Sequence, residues 1–351
     1  MALNMHTTTR LLLITGLALC SVLPALSGAA EDGPLRNLLR DRLAARAGQS
    51  VTAQPAHLLA AGEKITAPGR YEIHLQVGGR DRMALVHVPK SYAAGKPTPL
   101  VMAIHGGGGG AIFQADDGNY GLIGKSEQAG FIAVFPNGIS QTGNGMLATW
   151  NAGQCCARAR DENVDDVGFL RALVADVARR ATIASQRVYA IGMSNGAMMS
   201  YRLACEAGDV FHGIMAVSGT DNTQHCTPEH PVPVLHIHAK DDPLVLFNGG
   251  AGSNRLFSEE AVTDFVSVPD SVAKWVKLDH ASPVPRRVLQ VNGAYCDLYE
   301  ATSGGAPVEL CVTDTGGHSW PGGNKARAEE SPSRAISANE LMWDFFSAQP
   351  G

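Results

Sequence analysis

Apolar positions in this chain come in short runs, and the spacing inside each run separates strands from helices. Tyr71 to Val77 alternates apolar and polar residues, Met83 to Val88 follows across Gly78-Gly79, and together they predict an antiparallel hairpin at a sheet edge. Leu100-Val-Met-Ala-Ile104, Phe131 to Phe135, Val188 to Met193, Ile214 to Val217, Val234 to His238 and Val308 to Val312 are almost unbroken, the pattern of strands covered on both faces. Between them, apolar residues recur at helical spacing from Asp166 to Arg180, after Asn195, from Pro269 to His280 and from Ile336 to Phe346. Strands alternating with helices predict an α/β fold, with a mostly parallel central sheet and helices on both of its faces.

The start of the chain reads differently. Arg10 precedes the apolar run Leu11 to Leu26, which closes on Ser27-Gly-Ala-Ala30 ahead of Glu31-Asp32, so residues 1–30 are expected to be a secretory signal peptide. Gly16, Ser21 and Pro24 interrupt a run already short for a membrane anchor, and Leu19 before Cys20 is too large for lipoprotein processing. Leu35, Leu38, Leu39 and Leu43 share one side of a helix, making 31–64 an N-terminal helical extension and 65–351 the catalytic domain. After cleavage no apolar run is long enough to cross a bilayer, so a soluble protein of the periplasm or the medium is expected, with no membrane partner. With 351 residues, 45% of them hydrophobic and 17% charged, the chain can bury a large core. A net charge of -5 and no basic run exclude nucleic acid as a partner. Oligomeric state is left open.

Candidate chemistry sits where strands end. Arg187 to Met193 breaks into Gly192-Met-Ser194-Asn-Gly196 and continues with helix formers. A serine flanked by glycines two residues away on each side is what a strained strand-to-helix turn requires, because larger side chains would block the turn that lifts the hydroxyl out of the sheet. The Asn195 N–H would then face the oxygen of a bound carbonyl. His105 and the five glycines after it end a buried strand; they lack the Gly-Lys-Ser/Thr of a phosphate loop and offer backbone N–H groups, with Gly107 as the second oxyanion donor. Asp241-Asp242-Pro243 ends another strand, and Asp242 is the acid expected to fix a histidine tautomer. His236 and His238 read as packed strand residues. His318 lies in a glycine-flanked loop after the last strand. Ser194, Asp242 and His318 occur in the order an α/β-hydrolase uses. Asp165-Asp166 fit a helix cap better than catalysis, and Trp275 fits the core. No Cys/His spacing resembles a zinc site, and neither metal nor cofactor is expected.

Without Cys20, the cysteines are Cys155, Cys156, Cys205, Cys226, Cys296 and Cys311, an even number in an exported chain and therefore a disulfide framework. Cys296 and Cys311 flank two strand-like runs around Ser303-Gly-Gly305 and are expected to bridge a hairpin. Cys155 and Cys156 are expected to reach Cys205 and Cys226, since bonding to each other would distort the peptide between them. The loop Thr149 to Cys156 is expected near the site. Trp150, Gln154 and Trp320 are candidates to line the pocket, with simple packing as the alternative.

Taken together, His105-Gly-Gly-Gly-Gly, Trp150-Asn-Ala-Gly-Gln-Cys-Cys156, Asp165-Asp-Val-Gly-Phe169, Gly192-Met-Ser-Asn-Gly-Ala-Met-Met199, the segment around Asp242-Pro243 and Gly317-His-Ser-Trp-Pro-Gly322 resemble the polyhydroxybutyrate depolymerase-like and feruloyl esterases over about residues 65–347. The resemblance implies a secreted serine carboxylesterase with Ser194, Asp242 and His318 as its triad. Its substrate would be a small-molecule or oligomeric ester, feruloyl-type or hydroxyalkanoate. The chain has no Thr/Gly-rich linker or trailing polymer-binding module, which favours soluble or side-chain esters over crystalline polyester. The alternatives are hydrolysis of polyamides or other acyl polymers by the same residues, or an inactive hydrolase fold that binds polymer.

Overall fold

The structure is a computed structural model that describes residues 55–140, 145–252, 264–324 and 331–349. The expected signal segment, the helix of residues 34–47 and Cys20 lie outside the described residues.

One sheet organises the described chain. Its strands are β1 His57–Leu58, β2 Gly69–Val77, β3 Arg80–Val88, β4 Thr98–Ile104, β5 Ile132–Pro136, β8 Ile183–Met193, β9 Ile214–Val217, β10 Val234–Ala239, β11 Arg286–Val291, β12 Ala294–Tyr299 and β13 Val308–Thr313; a separate small ribbon is formed by β6 Ile139–Ser140 and β7 Ala148–Thr149. Their order is β1-β2-β3-β5-β4-β8-β9-β10-β13-β12-β11. From β5 to β13 every neighbouring pair is parallel, while β2-β3-β5 and β13-β12-β11 pair antiparallel at the flanks. This is the α/β-hydrolase arrangement expected from the run pattern. The 71–88 hairpin forms around Gly78-Gly79 as predicted, but β1 pairs outside it, and Leu59 and Ile65 join the core. The body of the domain therefore begins before residue 65.

The unbroken apolar strands earn their composition by serving two cores. Leu100, Met102 and Ile104 of β4 point into one cluster, while Val101 and Ala103 point into the other, the two-residue alternation of a strand. The first cluster is closed by the helices Asp166–Arg180 (α2), Asn195–Glu206 (α3) and Val268–Leu278 (α4); the second by Leu122–Ala129 (α1) and Ala338–Ser347 (α5). Asp165 caps α2 by accepting the Gly168 N–H, and Ser267 caps α4 ahead of Pro269. Asp166 has a further job: fully buried, it pairs with Arg82 at 2.7 Å and accepts the Asn151 N–H at 2.8 Å, tying α2 to β3 and to the loop before Cys155. Among the described residues no helix is long and apolar enough to cross a membrane.

Parallel strands share a direction, so β4, β8, β9, β10 and β13 all end at one rim of the sheet. The segments leaving those strand ends build the site.

Candidate active site

β8 ends at Met193, and Ser194 turns with φ 56° and ψ -124° directly into α3. A non-glycine residue in that region is strained, and the surroundings hold it there. The Ser194 N–H donates to the Val217 carbonyl of β9 at 2.8 Å, and its own carbonyl accepts the first bond of the helix from Met198. The flanking glycines are required sterically: a Cβ on Gly192 would run into the Gly196 carbonyl, and one on Gly196 into the Ile104 carbonyl of β4.

After β4, the Gly108 N–H donates to Ala148 of β7 at 2.9 Å and Ala148 returns a bond to Gly109 at 3.1 Å, pinning the far half of the glycine loop. The near half lies against the elbow, since a Cβ on Gly107 would stand 3.6 Å from Asn195 Cβ. Neither the Gly107 nor the Asn195 N–H has an acceptor among the described residues. His105 supports this loop from beneath. Burial pushes its imidazole down to about 4, so it is neutral, donating from Nδ1 to Gly106 and accepting the Gly138 N–H at Nε2.

The two neighbouring aspartates after β10 divide the work of holding the histidine. Asp241 accepts the Gly316 and Gly317 N–H groups at 3.2 and 2.8 Å and so clamps the loop that carries His318. Asp242 accepts from His318 Nδ1 at 2.9 Å, and its other oxygen takes the N–H groups of Leu244 and Val245. Burial alone would push the Asp242 carboxyl up; His318 and His238 beside it outweigh burial and hold the group well below the usual carboxylate range. Of the two neighbours, Asp242 is the one that meets His318, and the clamp made by Asp241 had no sequence signal beyond adjacency.

Ser218, not singled out in the sequence, joins the halves. It follows Val217, adopts φ 51°, and donates from Oγ to the Ser319 carbonyl at 3.3 Å. His318 is thereby tied by its neighbour to the strand end that holds the Ser194 N–H. Among the described residues neither the Ser194 hydroxyl nor His318 Nε2 has a hydrogen-bond partner.

The pocket candidates divide between packing and surface, and the cysteine pairing differs from the one expected. Trp150 is fully buried, donates from Nε1 to the His105 carbonyl and stacks on Phe169, so it floors the site as packing. Trp320 is likewise core, 3% exposed, bonded to Asn339 and edge-on to Tyr120. Gln154 is exposed, with its backbone bonded to Asn222 and Arg160. The loop does sit at the site, but it is stapled there by the Asn195 side chain, which pairs with both backbone groups of Trp150 at 2.8 and 3.0 Å. Cys155 and Cys156 bond to each other and not to Cys205 and Cys226. Cys205 and Cys226 pair together, Cα atoms 5.1 Å apart. Cys296 and Cys311 pair as expected, being directly opposite in the β12–β13 register.

Residues 94–275 match the model of the phospholipase/carboxylesterase family. The chain belongs to that family. Ser194 and Asp242 fall inside the matched stretch and His318 beyond it. Among relatives of this member of the family, feruloyl esterase B of Piromyces equi is 28% identical over 243 residues, which take in 68% of this chain and 42% of that protein, less than half its length. NocK of Nocardia uniformis subsp. tsuyamanensis is 29% identical over 70% of this chain and 73% of its own. The fold is similar to that of an acetyl xylan esterase from Aspergillus awamori, with a TM-score of 0.53 at 13% identity over 78% of this chain and 99% of the other. Feruloyl esterase B carries the feruloyl-esterase side of the resemblance.

Proposed function

We propose that the protein is an exported serine carboxylesterase acting on feruloyl-type esters or hydroxyalkanoate oligomer esters through an acyl-enzyme on Ser194. The observation that carries the reading is the Asp242–His318 pair standing on the same sheet rim as a strained, unpartnered Ser194. Asp242 fixes His318 with its hydrogen on Nδ1, leaving Nε2 bare as the base. His318 takes the Ser194 proton as Oγ attacks the ester carbonyl, and the carbonyl oxygen, now negative, is held by the N–H groups of Asn195 and Gly107. The proton passes to the departing alcohol; water then repeats the sequence on the acyl-enzyme. Export rests on the signal-like segment of residues 1–30, and the named relatives motivate the feruloyl class.

Ser194→Ala should remove turnover of p-nitrophenyl butyrate and of methyl ferulate while the circular dichroism spectrum stays unchanged. Retained turnover overturns the reading. A parallel panel of feruloyl esters, hydroxybutyrate oligomers and polyamides ranks the substrate classes.

A further inference from the structure

Behind Asp242 lies a buried hydrogen-bonded series that the triad does not include. His238 Nε2 stands 2.8 Å from the Val245 carbonyl and 3.4 Å from Asp242 Oδ2. On its other side, His238 Nδ1 meets His236 Nε2 at 3.1 Å, and His236 Nδ1 meets the Tyr201 hydroxyl at 2.7 Å. The two rings are parallel within 4°, and all three side chains are at most 1% exposed.

The chemistry of the partners settles where each hydrogen lies. A carbonyl can only accept, so His238 must carry its hydrogen on Nε2. With one hydrogen on each ring, His238 Nδ1 is then the acceptor, which makes His236 an Nε2–H tautomer as well. His236 Nδ1 in turn needs the Tyr201 O–H. Burial pushes His236 well down and the Tyr201 phenol well up, so the one remains uncharged and the other keeps its hydrogen. Every donor in the series points toward the carbonyl of Val245, whose own N–H holds Asp242. The reading of His236 and His238 as plain strand packing is right about their burial and misses this direction.

Resting on the triad reading above, we propose that His238 is a positioning residue for Asp242: its Nε2 hydrogen, shared between the Val245 carbonyl and the carboxylate, holds Asp242 square to His318, while His236 and Tyr201 lock the tautomer that makes this possible. The backbone donors of Leu244 and Val245 both converge on Asp242 Oδ1, at 2.9 and 3.0 Å. Oδ2, the oxygen closer to His318, has His238 as its only other donor among the described residues. Without that donor the carboxylate can rotate, and the imidazole it orients would lose its aim at Ser194.

The test compares His238→Leu, His238→Gln and Tyr201→Phe by steady-state kinetics on p-nitrophenyl butyrate and by the low-field proton resonance of the His318–Asp242 bond. A misplaced acid should lower kcat in His238→Leu by about 30-fold with KM unchanged, while His238→Gln, which keeps an N–H at similar reach, should stay within about 5-fold of the parent. Tyr201→Phe, remote from substrate, should lower kcat by about 3-fold and broaden or shift the resonance by mixing His tautomers. A folded His238→Leu with parental kcat, or a His238→Gln as impaired as His238→Leu, overturns the proposal. Should His238→Leu fail to fold, Tyr201→Phe decides: an unmoved resonance with parental kcat overturns it. Ser194→Ala run alongside separates the two readings, because turnover surviving there sinks the triad itself, whereas an inert Ser194→Ala with an unaffected His238→Leu sinks only the role of His238.

Discussion

Two buried aspartates, Asp242 after β10 and Asp279 after α4, meet opposite fates. Both are nearly excluded from water, at 2% and 0% exposure. Asp242 is ringed by donors from His318, His238, Leu244 and Val245 and is held ionised. Among the described residues Asp279 accepts only the Val232 N–H, at 2.8 Å, and its second oxygen has no partner. Burial pushes it up to about 8, against that single opposing bond. The difference teaches that depth alone makes an acid neutral. A charge is kept at the bottom of this site only because several donors were folded around it, and that is what an acid serving His318 requires.

The sharpest way to break the contrast is Asp242→Asn, which keeps the shape and removes the charge. It should lower kcat by about 10⁴-fold, because an amide stabilises the wrong His318 tautomer. A fall of less than tenfold in kinetics on p-nitrophenyl butyrate would deny the acid its role. Gly196→Ala, on the nucleophile side of the rim, should destabilise by about 4 kcal/mol or more, since the added methyl meets the Ile104 carbonyl. A thermal unfolding midpoint near the parent's would contradict the steric reading of the elbow.

The next effect belongs to the disulfide that ties β12 to β13. Replacing Cys296 and Cys311 by serine opens a link between residues 15 apart and should cost about 3 kcal/mol in urea denaturation. The rate at 25 °C should be little altered.

For Asp279 the sign runs opposite to the usual carboxylate case. Its folded value is raised from 3.8 to about 8, so its contribution to stability is fully present below the unfolded value and is lost as pH rises through the folded one. Between those limits stability should fall by at most about 1.4 kcal/mol per pH unit. Asp279→Asn should flatten that slope in melting curves from pH 5 to 8. An unchanged slope would mean that the group ionises freely.

The smallest effect tests the division of labour between neighbours. Asp241→Asn leaves an acceptor for one of the two glycine N–H groups and should cost about tenfold in kcat, through looser placement of His318. A loss as large as that of Asp242→Asn would show that the two acids do not have separate jobs.

Much of this could be read from the chain, and the boundary has a physical cause. The strands ending at Ile104, Met193, Val217, Ala239 and Thr313 were legible because a strand buried on both faces tolerates few polar residues. The elbow was legible because only glycine fits where backbones meet at Gly192 and Gly196. Trp150 and Trp320 stayed open between pocket lining and packing, because an aromatic residue beside a motif can face solvent or core with the same neighbours in sequence. The cysteine pairing failed at Cys155 and Cys156, because spacing along the chain does not say whether neighbouring cysteines bond to each other or to distant partners. The His236–His238 pair looked like packing because its meaning lies in Tyr201 and Val245, one on a helix and one in a loop.

Sequence by itself determined the order of strands and helices, the elbow, and which serine, acid and histidine come after the ends of parallel strands. Those are local properties: burial on two faces fixes composition, and a sharp turn fixes glycine. The tertiary structure decided which cysteines meet, that Asp241 clamps a loop while Asp242 holds an imidazole, and that one buried acid is charged and the other neutral. Hydrogen bonds between residues far apart in the chain set those outcomes, and no periodicity along the chain encodes the distances on which they depend.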